Sequence, residues 1–288
     1  MKNIYPDPEI HIKKTAFMQR VQDYVRTGHT RYVMGQISLE KVRFFGGKFD
    51  RLYSCFMCKL DASRARAAGL YTARMLLWRP DDADVVHWIL LVLPLEMRRD
   101  DEDGVEREAR HWLLAEAGNQ KWRDATVDRI SITGFELVRL TKTISASERQ
   151  KNSFLKRRVV ETEGDEKRKI EKALHRASVS RVGAGLGWTW RYRTDRYDEL
   201  RESLIRAVRN RRDDELRRLI QVIWTTPGFS GSRAQVKKYR ELLIGEWKRS
   251  RSKDPPPELP RNIGYVRRLE SKTARASQLQ RKAKRNED

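Results

Sequence analysis

The longest apolar run in the chain, residues 88–95 (WILLVLPL), is eight residues long and contains Pro94. A membrane-crossing helix needs roughly 20 apolar residues, so this run predicts no membrane helix. The flanking sequence supports a hairpin: residues 75–78 and 85–93 are strand-like and enclose Pro80-Asp81-Asp82-Ala83-Asp84, a cluster of turn formers. Residues 31–37 (RYVMGQI) and 54–60 (SCFMCKL) also read as short strands. Between them, residues 39–53 place Val42, Phe45, Phe49 and Leu52 at helical spacing. Helices are expected over 62–73 and 104–116. A strand is expected over 129–141, where Ile130, Ile132, Phe135, Leu137 and Leu140 surround Gly134. The sum is an α+β fold whose N-terminal domain, 1–143, holds a mixed sheet related to the ferredoxin-like arrangement of two helices on an antiparallel sheet.

Charge separates this domain from the rest of the chain. The whole sequence carries 62 Lys and Arg against 40 Asp and Glu, a formal charge of +22. Residues 1–143 hold 24 cations against 20 acids, whereas residues 144–288 hold 38 against 20. An excess confined to one half repels itself unless a polyanion offsets it, which points to a localised nucleic-acid partner. The nearly balanced N-terminal domain is expected to bind a protein partner or to self-associate. Only Cys55 and Cys58 are present and the N-terminus has no apolar h-region, so no disulfide framework and no signal peptide are expected. A cytoplasmic location, out of contact with a membrane, follows as an expectation.

In the basic half, residues 144–194 divide into a charged linker, a Gly-rich turn and a returning strand. The linker alternates Lys156-Arg157-Arg158 and Lys167-Arg168-Lys169 with Glu161, Glu163, Asp165 and Glu166, as an extended helix or a mobile linker would. Gly183, Gly185 and Gly187 precede residues 188–193, in which Trp188, Trp190 and Tyr192 share one strand face and Thr189, Arg191 and Arg193 the other. That aromatic face either stacks unpaired bases or fills a core; exposure of Trp188 and Trp190 decides between the two.

Residues 195–250 read as a basic three-helix segment with apolar stripes at Tyr197, Leu200, Leu204 and Val208, at Leu216, Leu219, Ile220 and Ile223, and at Val236, Tyr239, Leu243 and Trp247. The turn 225–231 separates the last two helices, and Ser230 or Ser232 is expected to cap the third. Opposite the third stripe stand Arg233, Lys237, Lys238 and Arg240, with Lys248, Arg249 and Arg251 at the helix end. Such a helix presents cations to phosphates, or is an ordinary amphipathic helix with a solvated basic face. The expected nucleic-acid-binding residues are Arg233, Lys237, Lys238, Arg240, Lys248, Arg249, Arg191 and Arg193. From Arg251 onward, eleven Lys and Arg against five acids, with Pro255, Pro256, Pro257 and Pro260, predict a disordered basic tail over 251–288.

Signals for catalysis are weak. Asp81, Asp82 and Asp84 with His87 are of the type that holds Mg²⁺, but they sit in turn chemistry without a third convergent acid. Cys55-x-x-Cys58 lacks a second pair and a His at zinc-finger spacing. No metal or cofactor is expected, and the enzyme reading is the lesser one.

The Gly-rich turn beside a ferredoxin-like pattern is similar to the RNA-binding loop of the repeat-associated RNA-processing proteins of CRISPR systems. It implies an alternative function as a metal-independent RNA-processing endonuclease; the plainer alternative is a flexible turn. Residues 225–247, TTPGFSGSRAQVKKYRELLIGEW, together with the Trp-Thr-Trp-Arg strand, resemble uncharacterised basic proteins carried by bacterial plasmids and integrating elements. This resemblance implies a mobile-element setting and assigns no residue a role. The expectation is an accessory nucleic-acid-binding protein, with DNA favoured over RNA, acting in replication, transfer, maintenance or control.

Overall fold

The computed structural model describes residues 6–68, 70–81, 83–93, 122–141, 158, 163–170, 186–260, 263–266 and 273–287. The chain divides into two compact units, one of Met1–Leu137 with Trp190–Asp288 and one of Val138–Thr189. The N-terminal sheet and the C-terminal helices therefore share a unit.

In the first unit the long apolar run lies at the centre of a sheet. Strand β4 (Val85–Leu93) pairs antiparallel with both β3 (Thr72–Trp78) and β2 (Arg31–Ser38). Its residues Val86, Trp88, Ile89, Leu90 and Leu91 are all buried, as a strand covered on both faces requires. β1 (Glu9–His11) adds to β3 in parallel, β9 (Thr273–Arg275) pairs antiparallel with β1, and β5 (Arg123–Asp124) pairs antiparallel with β2. The order is β5-β2-β4-β3-β1-β9. One split β-α-β unit is present, in which β4 lies between the parallel strands β2 and β3, but the sheet as a whole, with β1 and β9 added beyond β3, departs from the ferredoxin-like arrangement. The parallel β1–β3 pair makes the sheet mixed.

Helix α2 (Val42–Tyr53) covers one face through Val42, Phe49 and Tyr53, which join Val33, Met75, Leu77, Trp88 and Leu90 in one core cluster. Helix α1 (Lys14–Arg26) packs on β3 and β4 and buries Phe17, Met18, Val21 and Val25. The Phe17 and Trp78 rings stack there with centroids 6.0 Å apart. The hairpin expected at 80–84 joins β3 to β4.

Three local expectations change. Residues 54–60 are not a strand: Ser54 ends α2 in the left-handed region (φ 48°), and Cys58 caps α3 (Lys59–Ala67) by accepting the Asp61 N–H at 3.4 Å. The apolar alternation there comes from Cys55 and Phe56 packing on the core from a connector. The helix expected over 62–73 stops at Ala67, and Ala73 belongs to β3. The strand expected over 129–141 is a hairpin of β6 (Ser131–Ile132) and β7 (Phe135–Thr141). Thr133 (φ 41°) and Gly134 (φ 82°) make its two-residue turn, where consecutive positive φ values match the twist of the flanking strands. The returning strand β8 (Leu186–Tyr192) joins this pair in the order β6-β7-β8, not the larger sheet.

The C-terminal residues 273–287 are ordered, contrary to a disordered tail. β9 closes the β1 edge and leads into α7 (Ala276–Glu287), whose Ala276 is fully buried and whose Leu279 and Ala283 pack on the core. Asp7 anchors this helix start, its carboxylate accepting the Ser277 N–H at 2.9 Å and the hydroxyl at 2.7 Å. Average polarity hid the spacing of these small apolar residues. In the second unit, residues 164–170 are helical and Arg158 pairs with Glu166 at 3.1 Å. The helix expected over 104–116 and the turn residues Gly183 and Gly185 lie outside the described residues.

Candidate nucleic-acid interface

The basic segment forms α4 (Thr194–Arg209), α5 (Asp213–Trp224) and α6 (Ser230–Ser250), matching the three expected stripes. Leu200, Leu204 and Val208 of α4, Leu216 and Ile223 of α5, and Val236, Tyr239, Leu243 and Trp247 of α6 are buried. The α5–α6 turn begins where the Thr225 hydroxyl donates to the Gln221 carbonyl at 2.8 Å, which competes with continued helix. Phe229, in extended conformation, occupies the N-cap position of α6 and offers no side-chain cap. Ser232 is not a cap either: its hydroxyl donates to the Trp190 carbonyl at 3.2 Å.

Polar contacts with β8 fix the rotation of α6. Gln235 accepts the Tyr192 N–H at 2.7 Å and donates to the Tyr192 carbonyl at 3.2 Å, pairing with the strand as a neighbouring strand would. The Trp190 indole N–H donates to the Met18 carbonyl at 2.9 Å, tying β8 to α1. Trp190 is fully buried and Tyr192 nearly so, which places them in the core and not in a base-stacking face. With the apolar side held inward, Lys237, Lys238, Lys248 and Arg249 are exposed and Arg233 and Arg240 partly exposed.

A strap running from residue 251 across this helix completes the site. It is held by the Trp247 indole donating to the Asp254 carbonyl and the Trp224 indole donating to the Pro260 carbonyl, each at 3.0 Å. The Val266 N–H then donates to the Gly228 carbonyl at 3.2 Å. A Cβ at position 228 would overlap the Gly264 carbonyl oxygen, so only glycine permits the strap to close against the α5–α6 turn. The Tyr265 ring lies over the Arg233 guanidinium, 3.4 Å from its centroid.

Between α6 and the strap lie two grooves that share Arg240 and Ile244. One, of about 520 Å³, is lined by Trp224, Arg233, Lys237 and Ile263; the other, of about 360 Å³, by Trp247, Lys248, Pro256 and Leu259. Four of the expected binding residues, Arg233, Lys237, Arg240 and Lys248, thus share one channel with an apolar floor, and Lys238 is exposed on the same helix.

Within the channel Lys237 pairs with Glu241 of the same helix at 4.0 Å, and the expected Arg191, Arg193 and Arg249 have partners of their own. Arg191 and Arg129 both clamp the buried carboxylate of Glu136, at 2.7 Å and 3.0 Å. Arg193 pairs with Asp195 at 2.9 Å, beside the start of α4. Arg249 pairs at 2.8 Å with Glu246, a buried carboxylate that also receives Arg209 at 3.0 Å. Arg251 is buried: it donates to the Val208 carbonyl at 2.9 Å, pairs with Asp213 and covers the Trp247 ring. It is a structural cation, not part of the surface set. Sequence periodicity could not single out Arg191 and Arg251, because Glu136 and Asp213 lie 55 and 38 residues away in the chain.

Trp224, which lines the channel, and Tyr265, which lines a neighbouring groove of about 200 Å³ with Gln19, Asp23 and Arg26 and meets the channel through Arg233, are not singled out by motif or periodicity. Tyr265 is the only aromatic residue beyond Trp247, and that isolation in a polar segment was the available signal. Elsewhere, burial pushes His11 and His29 down to about 4, and pushes Lys14, which lies 4.7 Å from the centre of the Phe135 ring, down to about 8. His87 stacks on Trp78, its pKa lowered by burial and by Lys14. Among the described residues no three His, Cys, Asp or Glu side chains converge as metal ligands, and no helix is long and apolar enough to cross a membrane.

Comparison with protein-family models, with curated proteins and with solved structures finds no match.

Proposed function

We propose that this chain binds nucleic acid through the outward face of α6. The observation that carries the proposal is the placement of Arg233, Lys237, Arg240 and Lys248 along one channel, with Lys238 beside them, on a helix whose rotation is fixed from behind by Gln235 and Ser232. These five cations sit in the half of the chain that holds 38 Lys and Arg against 20 acids. Phosphates are the ligand that such a row offsets best, and binding releases their condensed counterions. DNA is the favoured form, and an accessory role on a bacterial mobile element, in replication, transfer, maintenance or control, is part of the proposal; both rest on the resemblance of residues 225–247.

The test is fluorescence anisotropy of labelled DNA and RNA of mixed sequence with the full chain across a salt series. Five phosphate contacts give a slope of log K against log salt of about −4.5 on duplex DNA, or about −3.5 on single strands. The double substitution Lys237→Glu, Lys238→Glu reduces that slope by about 2 units, whereas charge reversals before residue 143 leave it in place. Salt-insensitive binding, or none to any of the probes, refutes the proposal.

A further inference from the structure

We infer that the channel between α6 and the strap takes unpaired nucleotides, with phosphates on Lys237 and Arg240 and a base stacked on Tyr265 beside Arg233 at its edge. The inference rests on the nucleic-acid-binding reading above and goes beyond it by naming the form of nucleic acid.

Three features distinguish this channel from a plain cationic surface. Its floor is apolar: Ile244, 37% exposed, and Ile263 lie between the cations, where a duplex backbone would leave them idle. Next to the channel, against Arg233, stands an aromatic ring that lines the neighbouring groove. Tyr265 is 74% exposed while the Arg233 guanidinium covers one face at 3.4 Å, so the ring is held by one neighbour and open to another. Trp224 lines the channel itself, with its indole N–H occupied by the Pro260 carbonyl. Cations alternating with aromatic and apolar surface match a chain of phosphates alternating with flat bases.

A duplex does not use these features. Its bases are stacked on each other, so its phosphates reach only the outermost cations and Tyr265 stays unused. An acidic protein segment satisfies Lys237 and Arg240 equally well but brings no planar group for Tyr265. The groove of about 520 Å³ and the second of about 360 Å³ lie on the same helix and share Arg240 and Ile244 as lining residues, which offers a strand contacts for more than one nucleotide.

The experiment compares labelled oligothymidylate, oligouridylate and a mixed-sequence DNA duplex of equal length, by anisotropy with the full chain at fixed salt. The variants are Tyr265→Ala, Tyr265→Phe and Lys238→Glu, with circular dichroism confirming that each is folded. Tyr265→Ala is expected to weaken single-strand binding about 5- to 100-fold and to change duplex binding far less, through Arg233 alone. Tyr265→Phe, which keeps the ring, retains wild-type affinity. Lys238→Glu weakens both forms. If Tyr265→Ala affects neither form, or both equally, the stacking site is overturned while the binding function stands. If polyglutamate displaces oligothymidylate as well as an unlabelled oligonucleotide of equal charge does, the channel reads charge alone and the inference also falls. If Lys238→Glu binds every probe as the wild type does, the α6 reading itself fails, and this inference with it.

Discussion

Glu246 on α6 offers the sharpest test of how the helical segment is held together. Its carboxylate is 5% exposed, receives Arg209 from α4 through two N–H groups at 3.0 and 3.1 Å, and receives Arg249 on its other oxygen at 2.8 Å. Replacing it by glutamine keeps the shape but removes the charge, and turns an amide NH₂ toward one of two groups that can only donate. Each charge-assisted contact is worth about 1.5–3 kcal/mol when fully shielded, which gives roughly 3–6 kcal/mol for two arginines. The arginine side chains are 57% and 74% exposed, so water recovers much of that loss. A net cost of ~2–3 kcal/mol is expected. For a chain of this size that lowers Tm by about 4–6 °C. Urea denaturation followed by far-ultraviolet circular dichroism measures it, and the double substitution with Arg209→Ala should cost less than the sum of the two single changes. Nucleic-acid affinity should rise, because the already exposed Arg249 loses its pairing with the Glu246 carboxylate. A loss below ~0.5 kcal/mol, or additive behaviour with Arg209→Ala, would refute the clamp as an energetic link between α4 and α6.

Arg191→Ala should behave as a core lesion, costing about 1–3 kcal/mol through the partly orphaned Glu136 while leaving the salt slope of nucleic-acid binding unchanged. Truncation after residue 266 should lower stability by at least ~3 kcal/mol and produce self-association on size-exclusion chromatography, since it uncovers the β1 edge and the core beneath Ala276 and Leu279. Acid should destabilise the fold between about pH 6.5 and 4. His11 and His29 are held neutral to about 4 in the folded chain and titrate near their ordinary value of 6.5 when unfolded. The unfolded state therefore binds the extra protons as pH falls through that window, and each histidine withdraws up to about 3 kcal/mol by its lower end. Denaturation midpoints measured from pH 7 to 4 check this, with His29→Gln expected to flatten the decline.

The elements that were legible in the sequence are those whose partners are periodic and near. The run at 88–95 was legible as part of a strand because Trp88, Ile89, Leu90 and Leu91 must all leave water, though its central place in the sheet was not, and the stripes of α4, α5 and α6 appear at the positions expected. Residues 54–60 misled because a buried connector can place Cys55 and Phe56 as a strand would, while Ser54 turns the backbone. In 129–141 the alternation continues through Gly134, yet two positive φ values reverse the chain. The tail misled through composition: Ala274, Ala276, Leu279 and Ala283 are few among cations, but they are spaced to meet a sheet edge and α2.

The channel divides along the same line. Sequence alone determined that the C-terminal half is basic and that α6 has one apolar and one cationic face, since both follow from residue type and a 3.6-residue period. Tertiary structure decided which cations leave the surface, because Glu136 and Asp213 lie 55 and 38 residues from Arg191 and Arg251 and draw them inward, while Arg209 pairs with Glu246 across 37 residues and stays exposed. It also brought Tyr265 onto Arg233 and Trp224 beside Lys237, contacts that no local pattern encodes, since they depend on a strap closing over Gly228.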